Sequence, residues 1–139
     1  MKRDEAVSTL VKYRLEQAEA AIRDAKCLAE GYGSRQSIIN RSYYAMFYAA
    51  LALLMKSGLS SSKHSGVLAV FDREFVQKRI FPKELSKDFH SVFDVRQECD
   101  YKTTKMPSPE ETREIQTKAV RFVDAVRIHI LGEGCAEEG

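Results

Sequence analysis

Cysteine is scarce in this chain and carries no pattern. Cys27, Cys99 and Cys135 form an odd set with no CxxC pair and no histidine at zinc-ligand spacing, so neither a disulfide framework nor a metal site is indicated. Charge of one sign is also lacking. The formal net charge is +2, too small for the basic stripe that marks a general polyanion binder, so any RNA contact must be local. There is no apolar run of the roughly 20 residues that a bilayer crossing needs. The most apolar segment, Ser42 to Met55, is shorter and is flanked by Arg41 and Lys56. Glycine-rich phosphate loops are missing, since Gly31-Tyr32-Gly33 matches no Walker or dinucleotide motif. No β-hairpin or βαβ pattern occurs, and no Ser, His and Asp constellation can be built from spacing. The N-terminus is polar from Lys2 to Glu5 and has no apolar core before a cleavage site, so a mature start near Met1 and a cytoplasmic location are expected.

What is present is helical periodicity. The chain has 139 residues, 44% hydrophobic and 30% charged, the balance of one ordinary globular domain. From about Asp4 to Glu30, apolar residues such as Val7, Leu10, Val11, Ala18, Ala21, Ile22, Ala25 and Leu28 recur at helical spacing. The glycines at 31 and 33 supply a stop, and Ser34 can N-cap a second helix from Arg35 to Lys56. That second helix is apolar or aromatic on nearly every side and should be central. A third, short helix is predicted from about Lys63 to Gln77, and a fourth from Pro82 to about Asp100 with the stripe Leu85, Phe89, Val92 and Phe93. Ser108 and Glu111 read as a capping box for a last helix, whose inner face carries Ile115, Ala119, Phe122, Val126 and Ile130. The prediction is an all-α, up-and-down bundle of four long helices and one short helix, spanning 1–131. Residues 132–139, with little to bury, are expected to be a frayed tail.

Arg96 breaks the pattern. The fourth helix's stripe, continued from Phe93, lands on Arg96 and then on Asp100, so a permanent cation points toward the interior or an interface. Such a group needs carboxylates, carbonyls or a bound anion nearby, and Asp100 is the nearest candidate. The pair can be purely structural, or it can belong to a site. On the second helix Arg41, Tyr44 and Tyr48 share a face, which puts a second cation beside phenols able to grip a phosphate and stack on a base. The same tyrosines also suit a core role with one satisfied hydroxyl each. His64, at the start of the third helix, suits capping or packing as well as a polar site. His90 lies roughly 120° around the helix from Arg96, and His129 sits beside an apolar stripe, so both read as structural.

Four segments in order carry a resemblance: Asn40-Arg41-Ser42-Tyr43-Tyr44-Ala45-Met46-Phe47-Tyr48-Ala49-Ala50, Lys63-His64-Ser65-Gly66, Phe71 to Val76, and Arg96 to Tyr101. Together they resemble the HEPN superfamily (higher eukaryotes and prokaryotes nucleotide-binding), in the stand-alone prokaryotic branch encoded beside a minimal nucleotidyltransferase. The resemblance covers about Asp4 to Leu131. It implies a helical bundle, a homodimer, a toxin role opposite a nucleotidyltransferase partner, RNA or nucleotide binding, and in active members a metal-independent endoribonuclease with no cofactor. The family's active motif is an arginine, a short spacer and a histidine. Here Arg96 matches the arginine, but the spacer leads to Tyr101. A phenol with a pKa near ~10 is a poor base at neutral pH, whereas imidazole is suited to it. Arg96 and Tyr101 are therefore the implied catalytic positions of a site whose nuclease chemistry lacks its usual base, with Arg41, Tyr44, Tyr48, His64 and Asp100 as candidate binding residues. A purely protein-binding bundle is the remaining alternative.

Overall fold

A computed structural model describes residues 2–101 and 106–138, with the side chains of 2, 101 and 133–138 outside that description. Five α-helices follow in order: α1 Lys2–Glu30, α2 Arg35–Lys56, α3 His64–Phe71, α4 Lys83–Tyr101 and α5 Pro109–Glu138. A π-helical turn, Asp72–Val76, prolongs α3. No strand occurs among the described residues. The all-α bundle read from periodicity is the fold.

α2 is the axis. Its contacts run to α1, α3, α4 and α5, and twelve of its residues are buried, from Ile38 to Leu54. That is why its sequence shows no polar face. The core beside it is aromatic: Tyr43, Phe71, Phe89 and Phe122 are all fully buried. The Phe89 and Phe122 rings are 4.7 Å apart, which joins α4 to α5, and Phe71 meets Phe122 at 5.2 Å. Asp88, almost fully buried on α4, is neutralised by Arg121 of α5 at 2.7 Å.

The caps form as their chemistry requires. The Ser34 hydroxyl accepts from the Ser37 amide at 3.1 Å, starting α2. Ser108 and Glu111 exchange hydrogen bonds, each amide donating to the other's side chain at 3.1 Å. At the α1–α2 turn the left-handed residue is Tyr32, with φ 64, and not a glycine. Gly33 is required there for another reason, since a Cβ at that position would lie 2.7 Å from the Leu28 side chain. The third helix departs from the predicted continuous run to Gln77. It widens at Asp72, whose carboxylate accepts from Ser86 Oγ at 2.6 Å and lies 2.6 Å from His90 Nε2, both on α4. The extra residue in the turn turns Asp72 toward α4 while Phe71 and Phe75 stay buried. α5 continues in helical backbone past Leu131, where its apolar face ends, to Glu138.

Candidate functional site

Arg96 enters the bundle near the end of α4, and its side chain is 21% exposed. Its Nε lies 3.3 Å from Asp100 Oδ2, one turn on, without the alignment of a hydrogen bond, so the buried Nε has no hydrogen-bond partner. Its Nη2 donates to the Tyr44 hydroxyl at 3.3 Å. The guanidinium carbon sits 5.2 Å from the Tyr43 ring centre and 5.4 Å from that of Tyr44. Two aromatic faces thus share the cation with Asp100, which is itself 45% exposed. With five N–H donors and one hydrogen bond made among the described residues, the fork has donors to offer an anion.

The Arg41, Tyr44 and Tyr48 face predicted on α2 is assembled. Arg41 lies over Tyr44 at 5.3 Å, and the Tyr44 and Tyr48 rings are 5.8 Å apart. Arg41 also donates through Nε and Nη2 to Asn40 Oδ1, at 3.3 and 3.1 Å. A groove of about 370 Å³ lined by Gln36, Ser37, Asn40, Arg41 and Asp100 runs beside this face and links α2 to the Arg96 pair.

His64 comes to the same place from α3. Its Nδ1 is 2.8 Å from the Tyr43 hydroxyl, and its ring stacks on Phe47 with centres 4.0 Å apart. It also meets the edge of Tyr44 at 5.9 Å. Burial first, and the Arg96 charge second, hold the His64 pKa below its ordinary value, so the imidazole is neutral at pH 7. Burial pushes the Tyr43 phenol up, against a smaller opposing pull from Arg96, so its hydroxyl stays protonated.

Tyr43 is the residue that periodicity missed. It lies one position off the Arg41, Tyr44 and Tyr48 face, in a helix apolar all round, where it reads as core. The available signal was its hydroxyl, because a buried tyrosine needs a partner. Tyr43 touches Arg96, Tyr44 and His64; Tyr44 in turn meets Arg41 and Tyr48, and Arg96 meets Asp100, whereas the Tyr101 side chain lies outside the described residues. His90 is engaged elsewhere with Asp72, and the His129 ring packs against Phe81 at 5.2 Å. Among the described residues no three His, Cys, Asp or Glu side chains converge as a metal site.

Residues 11–129 match the HEPN domain family. A UPF0332 protein of Thermotoga maritima is 40% identical over 117 residues, covering 84% of this chain and 88% of that protein. A Methanocaldococcus jannaschii protein bearing the name "Putative toxin MJ0605" is 34% identical over 113 residues, covering 81% and 83%. With an all-α bundle, a partly buried arginine near the end of its fourth helix and a family match over most of its length, the chain belongs to the HEPN domain family.

Proposed function

We propose that this chain is the toxin-like component of a toxin–antitoxin pair, held in check by a nucleotidyltransferase partner, and that it binds RNA or a nucleotide through the groove centred on Arg96. The observation that carries the reading is the cation itself. A guanidinium set on two tyrosine faces, its buried Nε turned to Asp100 and its side chain still 21% exposed, can offer its terminal nitrogens to a phosphate oxygen. Arg41, which lies over the Tyr44 ring and lines the neighbouring groove with Asn40 and Asp100, supplies a second cation for a phosphate. The name of the Methanocaldococcus jannaschii relative, "Putative toxin MJ0605", supports the toxin-like class. The partner follows from the branch of the family that the sequence resembles.

The test is expression of the chain and of Arg96→Ala in a tolerant host, scoring growth and RNA integrity, together with binding of a labelled oligoribonucleotide at several salt concentrations. Growth inhibition and salt-sensitive binding that both depend on Arg96 support the reading; equal behaviour of the two proteins removes it. A metal-independent endoribonuclease is the second reading, favoured by one observation: Arg96, the arginine of the family's active motif, stands partly exposed near the end of α4. RNA cutting by wild type in the absence of metal, abolished in Arg96→Ala, would establish it.

A further inference from the structure

The hydrogen bond between Tyr43 and His64 fixes more than a ring position. Tyr43 is fully buried, and its hydroxyl has one hydrogen-bond partner among the described residues, His64 Nδ1 at 2.8 Å. Two arrangements are open to a neutral imidazole. If Nδ1 carried the proton, the phenolic hydrogen would be buried without an acceptor, a cost of about 1–3 kcal/mol. If Nδ1 accepts, the phenol is satisfied and the ring proton resides on Nε2. The second arrangement prevails. The ring cannot readily turn away, because Phe47 stacks on one face with an interplanar angle of 15° and Tyr44 presents its edge at 85°.

Among the described residues, the rings of Tyr43, Tyr44 and Phe47 from α2 pack against His64, the Arg96 charge on α4 acts on it through space, and Lys63 precedes it on its own element. None of these is a carboxylate, so nothing there draws the imidazole into its charged form. His64 is partly exposed and its Nε2 has no hydrogen-bond partner among the described residues. It lies against the same two tyrosine rings that carry the Arg96 guanidinium.

We infer that Tyr43 locks His64 as the Nε2–H tautomer, making His64 a fixed hydrogen-bond donor that joins Arg96 and the Tyr44 hydroxyl in holding one phosphate group, and not a proton acceptor. This rests on the proposed RNA or nucleotide binding and sharpens it. A general base must face the 2′-hydroxyl with an unprotonated nitrogen, and the unprotonated nitrogen of His64 is already occupied by Tyr43. What remains is a donor set drawn from three helices, suited to a phosphodiester or phosphomonoester.

Long-range proton–nitrogen correlation of the labelled imidazoles at pH 7.5 reads the tautomer directly in the wild-type protein. The Nε2–H pattern is expected for His64, with a mixture of tautomers in Tyr43→Phe. Inorganic phosphate and a short oligoribonucleotide should then shift the His64 Nε2 resonance. His64→Gln, whose amide nitrogen replaces the Nε2 donor, should keep the oligonucleotide affinity, while His64→Ala should lose roughly tenfold, the scale of one hydrogen bond to a charged group. An Nδ1–H or doubly protonated ring overturns the inference even where Arg96→Ala still abolishes binding, which leaves the proposed function intact. Equal affinity of His64→Ala and wild type overturns the donor role. The expected tautomer in a wild-type protein that binds neither probe would overturn the proposed function and the phosphate clause together. The wild-type spectrum decides the tautomer whether or not the variants fold.

Discussion

Tyr44 carries two guanidinium groups within reach of its ring, Arg41 at 5.3 Å and Arg96 at 5.4 Å, and accepts a hydrogen bond from the second. Tyr44→Leu removes both cation–π contacts and that hydrogen bond, and it should cost about 1–3 kcal/mol in chemical denaturation. Tyr44→Phe keeps the ring faces and should cost about 1 kcal/mol or less by the same measurement. His64 gives a pH signature. Its folded pKa lies below the ordinary 6.5, so the unfolded chain takes up the proton first as pH falls. Stability tied to neutral His64 is thus complete above about 6.5 and is lost as pH drops through the folded value. Wild type should lose stability relative to His64→Gln between pH 7 and 5, and a constant difference across that range would contradict it. Arg96 was legible because one side chain violated an apolar stripe. The Tyr43 to His64 link was not, because the two residues are 21 positions apart and neither breaks a local rule. Only packing reveals which of two adjacent tyrosines faces the histidine.

At the level of elements, the bounds of α2 and the capping box of α5 could be read directly, since caps and glycine stops are local chemistry. Ser108→Ala removes one half of that box and should lower stability by about 1 kcal/mol, read from the denaturation midpoint. The π-helical turn at Asp72–Val76 was hidden. Apolar spacing at Phe71, Phe75 and Val76 suits an ordinary helix, and the reason for the widening is the pair of partners for Asp72 on another helix. Asp72→Ala should therefore loosen the end of this segment more than the bundle as a whole. Amide hydrogen exchange from Asp72 to Val76 should accelerate, while exchange in the middle of α2 stays slow.

For the whole molecule, the apolar and aromatic residues of α2 are largely enclosed within one chain. The large apolar side chains left exposed include Leu10 and Tyr13 on α1 and Val120, Ile128 and Leu131 on α5, and none of those most exposed lies on α4. A two-fold pairing is accordingly predicted through α1 and α5 and not through α4. Light scattering should give twice the chain mass at micromolar concentration, reduced to the chain mass by Ile128→Asp, and a monomeric wild type would remove the prediction. No described helix is long and apolar enough to cross a membrane. The site itself is a joint between elements: Tyr43 and Tyr44 come from α2, His64 from α3 and Arg96 from α4. Anything that occupies it clasps three helices at once and must favour the folded chain over the unfolded one. A compound present at one hundred times its dissociation constant adds roughly 2.7 kcal/mol by mass action. The melting temperature is thus a binding assay in its own right, and a thermal scan across nucleotides, polyphosphates and RNA fragments can find the occupant without an activity readout.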